Sequence, residues 1–253
     1  MSLATPRILR AFLDHNDYFA ARAPECAIDL DADLTSAELD AEIFALAPNY
    51  PLVFDERGDL LVRFAAGCYH PMRLIPGHGT IRPFALGRYP VTCAEWLALT
   101  GSLPREIGKP SSEPITYVSA VDAEAALQPL GLRLPTEDEW VFAAYGSDGR
   151  TYPWGDEAPD DTRLVWSGSA IQRSGPAPVG TCPRGASPFG CEDMAGNVWE
   201  WTATPERKHR VLRGGCWYGN DPSWVRAGVR NRGSMAFRSD YVGFRCSRSL
   251  VPA

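Results

Sequence analysis

Apolar positions change texture along this chain. Near the start, Ile8, Leu9, Phe12 and Leu13 recur at helical spacing behind Thr5 and Pro6, an N-cap with proline at the first helical position. Thr35-Ser36-Ala37-Glu38 is a capping box ahead of Ile43 and Phe44. Leu52 and Phe54, then Leu60 to Phe64, read as two short strands around the turn Glu56-Arg57-Gly58. Thr92-Cys93-Ala94-Glu95 opens a helix that Gly101 closes. Ser119 begins a second, through Ala126, and Thr136 to Glu139 caps a third that ends near Gly146. Beyond Gly146, glycine, proline and aspartate are dense and long loops are expected. From Met194 to Cys246 the words MAGNVWEW, RVLRGGCWYG, RAGVRNRG and VGFRC show almost no helix or strand period. Irregular backbone, planar stacking and arginine hydrogen bonds should hold that segment.

Bulk properties narrow the classes. At 253 residues, with 45% hydrophobic and 22% charged residues, the chain can bury a substantial core. A net charge of -6 argues against nucleic-acid and anionic-membrane partners. Lys109 and Lys208 are the only lysines, so the basic chemistry is guanidinium chemistry. The opening MSLATPRILRAFLDHND lacks a signal-peptide core and no apolar run reaches membrane-spanning length, so a cytoplasmic protein is expected. Cysteines stand at 26, 68, 93, 182, 191, 216 and 246, an odd set without CxxC spacing. Reduced, mostly buried thiols are expected, with a Cys182–Cys191 bridge as the less favoured alternative.

The C-terminal words, with LRLPTEDEW at Leu132 to Trp140, YPWG at Tyr152 to Gly155 and LGRYPVTCAEW at Leu86 to Trp96, resemble the formylglycine-generating enzyme (sulfatase-modifying factor) family. The resemblance runs roughly from Gly67 to Cys246. It implies an irregular α+β, C-type-lectin-like fold with little regular secondary structure. The expected division is a small helical and hairpin extension over residues 1–65 and a formylglycine-generating-enzyme-like domain over 66–253.

The same resemblance implies a structural calcium ion. Its ligands carry over as Asp193, Gly196, Val198 and Glu200, carboxylates and carbonyls of the kind calcium takes in irregular loops. The bland alternative is that Asp193 and Glu200 simply accept backbone or arginine hydrogen bonds. A second family calcium site is not expected, because TRLVWSGSAIQ lacks its asparagine. The enzyme proper holds copper on two cysteines just past the Gly-Gly word. Here that stretch reads Gly219, Asn220, Asp221, Pro222, Ser223 and Trp224, with no cysteine between Cys216 and Cys246. Formylglycine generation and copper are therefore not expected, no catalytic residue is assigned, and Cys216 reads as a packed thiol. Ergothioneine-type sulfoxide synthases add an iron-binding helical domain with three histidines. His15, His70, His78 and His209 are scattered, so iron is not expected, and each reads as a surface or packing residue.

Arg213, Arg226, Arg230, Arg232, Arg238 and Arg245 recur with Gly214, Gly215, Gly243 and Phe244 as a framework. Between them lie Trp217, Tyr218, Gly219, Asn220, Asp221, Ser223, Trp224, Asn231, Ser234, Phe237, Ser239, Asp240 and Tyr241, a paratope-like set. The pattern resembles the variable proteins of diversity-generating retroelements, which carry their variable region at the C-terminus of this same fold. Adenine mutation of AAC or AAT codons cannot reach Lys, Glu or Gln, and residues 218–241 contain none; Trp224 and Met235 would be fixed positions. The alternative is an ordinary family member with polar C-terminal loops. Three functions follow: a non-catalytic binder of a protein or small molecule using residues 217–241, an oxidase or accessory enzyme of the family, or a scaffold whose extension recruits a partner.

Overall fold

The structure, a computed structural model, describes residues 53–54, 59–65, 68–168 and 174–250. The expectations placed on residues 1–52 and on the turn at 56–58 lie outside them.

Among the described residues, two sheets and three α-helices make an α+β fold. Strands β1 (Val53–Phe54), β2 (Leu60–Ala65), β3 (Cys68–Ile75), β4 (Phe84–Gly87) and β9 (Ser247–Ser249) form an antiparallel sheet in the order β1-β2-β3-β4-β9. The strand expected over 60–64 is β2, whose alternation puts Leu60, Val62 and Phe64 in the core. This sheet crosses position 65, so β1 and β2 share a sheet with β3 and β4. Helices α1 (Cys93–Thr100), α2 (Ala120–Leu127) and α3 (Glu137–Tyr145) follow. Thr92, Ser119 and Thr136 each close a reciprocal capping box, with Glu95, Asp122 and Glu139 as partners, and Gly101 ends α1 at φ 77.

A second sheet, β5 (Trp199–Glu206), β6 (His209–Arg213), β7 (Asn231–Ser234) and β8 (Val242–Gly243), runs in the order β7-β6-β5-β8. It corrects the expectation that Met194 to Cys246 holds almost no regular structure. The first half of β5 is buried on both faces, Trp199, Glu200, Trp201 and Thr202 alike, so no polar position alternates to betray it. The last strand ties the chain together: β9 pairs with β4, while Phe244 and Cys246 accept from the backbone N–H of Val91 and Gly87. Trp96, Trp199, Trp201, Ile115 and Phe244 fill the core between the sheets and α1 and α2. All six described cysteines are free, five of them buried.

Candidate functional site

The C-terminal face stands on a buried ionic frame. Arg245 is fully buried and grips Glu200 with two bonds, Nε to Oε2 and Nη2 to Oε1, each 2.7 Å. Its remaining N–H groups reach the carbonyls of Gly87, Arg88 and Glu192 at 2.8, 3.2 and 3.0 Å. Trp140 of α3 donates its indole N–H to Glu200 Oε2 at 2.7 Å. Beside this lies a second chain of charges: Arg88 donates to Glu192 Oε1 and Asp59 Oδ2, and Arg73 pairs with Asp59. Both acids are almost wholly buried, and paired guanidinium forks offset that burial. Sequence reading placed internal guanidinium work near the C-terminus but missed Asp59, Arg88 and Glu192. Lone charges spread over 130 residues carry no spacing signal.

That frame fixes the loop before β5. Asp193, Gly196 and Asn197 take left-handed backbone, and buried Asn197 clamps Ala177 through both side-chain atoms. The Asn197 carbonyl then accepts the Trp217 N–H at 2.8 Å. Gly214 and Gly215, at φ 102 and 79, swing the chain outward after β6. At Gly215 a side chain would also strike Val225 at 2.9 Å, so this turn requires glycine.

The turn delivers an aromatic cluster. Tyr218 lies edge-on to Trp217 and to Tyr241, with centroids 5.6 and 5.0 Å apart, and Phe237 follows at 6.2 Å from Tyr241. Trp217 Nε1 donates to the Asp240 carbonyl, and Ser239 donates to the Asp240 carboxylate. Gly219 is buried with the edge of Trp224 beside it, while Asp221 caps the short 3-10 turn that carries Ser223 and Trp224. Tyr218 and Trp224 remain 38% and 43% exposed, although both are large aromatic rings. Asn220 is exposed next to them. Asn231 stands apart: it begins β7, on the sheet edge opposite the one that Tyr241 leads into, and Ser234 ends that strand three residues before Phe237.

Cys216 sits under this cluster, 1% exposed, and burial pushes its thiol up to about 11. A thiol held neutral is a poor nucleophile and a poor metal ligand. Asp193 is under the same stress. Desolvation raises its carboxyl to about 6, against the Gly180 N–H bond and Arg245, with Glu192 and Glu200 adding repulsion. It is a buried acid that a further cation would relieve, as the calcium set requires. Glu200, whose two oxygens already serve Arg245 and Trp140, would have to share. Among the described residues, no three Asp, Glu, His or Cys side chains form a metal-holding group, and the carried-over set has only two.

The fold and this C-terminal face define a formylglycine-generating-enzyme-type domain with C-type-lectin-like topology. The Sulfatase-modifying factor enzyme 1-like domain matches residues 74–250. The chain belongs to that family. Hercynine oxygenase of Mycobacterium tuberculosis is 40% identical over 161 residues, 54% of this chain and 37% of that protein. Inactive C-alpha-formylglycine-generating enzyme 2 of Bos taurus is 34% identical over 175 residues, 60% of this chain and 58% of that protein. The matches thus span well under two thirds of these relatives' length. Two solved structures share the fold: Treponema denticola variable protein 1, with TM-score 0.60 and 20% identity over 72% of this chain and 96% of that one, and PvdO from Pseudomonas aeruginosa, with TM-score 0.62 and 22% identity over 75% and 98%. Among the described residues, no helix is long and apolar enough to cross a membrane.

Proposed function

We propose that this protein is a non-catalytic binding module whose recognition face is built by residues 217–241. The observation that carries the reading is the pairing of exposed Tyr218 and Trp224 on a rigidly anchored backbone with a sealed thiol beneath them. Rigid aromatic rings offer contact area at low entropy cost, and Asn220, Asp221 and Asp240 supply directional polar contacts. The stretch where the family's cysteine pair belongs folds as the capped turn of Asp221 to Val225. The relationship to an inactive family member agrees with loss of catalysis. Diversification of the face is the finer part of the proposal and rests on residue usage in 218–241. Its ligand is a protein or small molecule, met in a cytoplasmic setting.

Elemental analysis of the purified protein tests the class: stoichiometric copper or iron would overturn it. Ligands selected from a displayed peptide and small-molecule library should bind Tyr218→Ala and Trp224→Ala variants roughly 30-fold more weakly, as for anchor aromatics. Melting temperatures should stay within a degree or two of wild type for such exposed positions. Unchanged affinity in both variants would move the face elsewhere.

A second reading is an oxidoreductase or accessory enzyme of the family, favoured by the 40% identity to hercynine oxygenase. It predicts copper or iron in the same elemental analysis.

The proposal includes one structural calcium ion, held by Asp193, the carbonyls of Gly196 and Val198, and Glu200. What supports it is the stressed burial of Asp193 beside Glu192 and Glu200. An ion that binds only the folded state stabilises it by mass action, so EDTA should lower the melting temperature and added calcium restore it. Identical melting curves with and without EDTA would sink the calcium assignment and leave the binding face standing.

A further inference from the structure

We propose that the outer edge of β7 is a docking site for an extended acidic segment of a partner protein, which pairs with it as an added strand. β7 ends its sheet, and among the described residues no strand lies beyond it. Asn231, Arg232 and Ser234 are exposed there, and only Gly233 is buried, against Trp201. The direction of the edge follows from β6. The Val211 carbonyl accepts the Thr202 hydroxyl at 3.0 Å, so Val211 turns its backbone groups to β5. Backbone groups alternate sides along a strand, so Arg210 and Leu212 turn theirs to their partners Gly233 and Asn231. Arg232 and Ser234 therefore present theirs to the open side. Two of those four groups are satisfied locally. The Arg232 N–H donates to Asn231 Oδ1 at 2.8 Å, a side chain standing in for a strand, and the Ser234 carbonyl accepts the Phe237 N–H at 2.9 Å. The Arg232 carbonyl and the Ser234 N–H remain, one acceptor and one donor on either side of Gly233. An added strand bonds to a pair of this kind.

Charge chooses the occupant. The chain carries a net charge of -6, yet cations gather along this edge. Arg213, Arg230 and Arg232 share two carboxylates, Glu137 and Glu206, and Glu206 Oε1 lies 3.7 Å from Nη1 of both Arg230 and Arg232. Arg207 and Lys208 are exposed in the adjoining turn between β5 and β6, just beyond the pairing of His209 with Ser234. Positive charge is locally in surplus, and it favours an acidic ligand. The same arginines oppose a second copy of the chain, whose own edge would set guanidinium against guanidinium. Glu137 and Glu206 stand among the cations and would repel the phosphates of a nucleic acid. An extended acidic peptide avoids both conflicts, because its backbone meets the edge while its carboxylates reach the cations at either end. Beyond Ser234, Met235 and Val121 expose large apolar side chains, and the Val121 N–H donates to the Met235 carbonyl at 3.5 Å. They offer the segment one apolar contact. The edge lies apart from exposed Tyr218 and Trp224, and it holds its partner whether or not those rings bind a ligand of their own.

Peptide titrations of the full chain test this, with the Ser234 amide followed by NMR. The probe is a blocked heptapeptide of alternating glutamate and valine. It should bind saturably, at least about tenfold more tightly than a lysine–valine counterpart, and it should slow hydrogen exchange at Ser234. Lys208→Glu combined with Arg232→Glu should weaken it at least about tenfold. N-methylation of every peptide residue keeps the charge but removes the strand donors, and should weaken it as much. Ser234→Pro removes the edge donor without touching the ladder to β6, so it too should lose the peptide while melting within a degree or two of wild type. Should Ser234→Pro fold poorly, the N-methylated peptide asks the same question. Tyr218→Ala and Trp224→Ala should bind the probe as wild type does. No saturable binding by wild type up to about 1 mM overturns the proposal. Undiminished binding of the N-methylated peptide also overturns it, since attraction between charges would then act without a strand. Loss of binding in Tyr218→Ala overturns it as well, and places the peptide on the aromatic face. A Ser234 amide already protected in the free protein assigns the edge to the chain itself, or to a second copy if protection fades on dilution, and either result overturns the proposal.

Discussion

Arg245→Ala should leave little folded protein. The fully buried guanidinium places its donors on both oxygens of Glu200 and on three backbone carbonyls from two separate segments. Truncation would strand the Glu200 carboxylate, itself fully buried, with the Trp140 indole as its remaining donor. It would also open a cavity and take a donor from the carbonyls of Gly87, Arg88 and Glu192, of which Arg88 keeps the Glu192 N–H. Removing one member of a buried ion pair costs about 3–5 kcal/mol, a large share of the roughly 5–15 kcal/mol that holds a typical domain together. For a domain of this size that is a fall of roughly 6–20 °C in melting temperature. Arg245→Lys should rescue little, because a compact ammonium cannot span the carboxylate fork and the three carbonyls together. Arg245→Met with Glu200→Gln should recover much of the loss, since taking away both charges leaves no naked ion behind. Urea unfolding of the four proteins measures this. If Arg245→Ala melts within about 2 °C of wild type, the frame does not hold the fold.

Parts of this architecture are plain in the sequence because their causes are local. Capping boxes act over three residues, so Thr92, Ser119 and Thr136 announce their helices directly, and the structure starts all three where expected. The hairpin of β1 and β2 is equally local. The words shared with the sulfatase-modifying family carry the fold, because the words record a backbone whose shape depends on Gly214, Gly215 and Arg245. Hidden from sequence is whatever depends on distant partners. Glu200 reads as an acid on a loop, yet it lies in a strand buried on both faces and meets an arginine 45 residues later. Asp59 lies before β2 and is buried by arginines from β3 and beyond β4. The aromatic cluster falls between the two cases. Trp217, Tyr218, Phe237 and Tyr241 were readable as a set, and the structure brings them together. Asn231 resembles the set in composition alone and sits on the opposite sheet edge. His70 is the sharpest lesson: a packing residue by its scatter, it is buried as one half of an ion pair.

That pair gives the protein a stability profile with two titrating edges. His70 lies wholly inside, stacked on Phe64 with centroids 5.1 Å apart, and its Nδ1 meets Glu95 Oε1 at 2.9 Å. Its Nε2 is turned to the Cys246 thiol without a well-formed hydrogen bond. Burial opposes the imidazolium, yet Glu95 and the Cys246 thiol outweigh it and hold His70 well above its usual range. Burial likewise opposes the Glu95 carboxylate, and His70 together with the Thr92 N–H and hydroxyl outweighs that and holds it low. A raised histidine stabilises the fold fully below its unfolded value of about 6.5 and ceases to as pH climbs through its folded value. A lowered glutamate stabilises above its unfolded value of about 4.3 and ceases to as pH drops through its folded value. The pair therefore contributes most between those two unfolded values and loses its hold on the alkaline side first at His70. His70→Gln keeps an uncharged donor near Glu95 but cannot titrate. It should cost about 3–5 kcal/mol near neutral pH, as for one partner of a buried pair. The wild-type advantage should then shrink steadily as pH rises, and the difference between the two proteins isolates His70 from the tyrosines and thiols that titrate in the same range. Urea midpoints of both proteins across the pH range measure it. Parallel alkaline slopes would mean that His70 is neutral in the fold, and the Glu95 contact would then be an ordinary hydrogen bond.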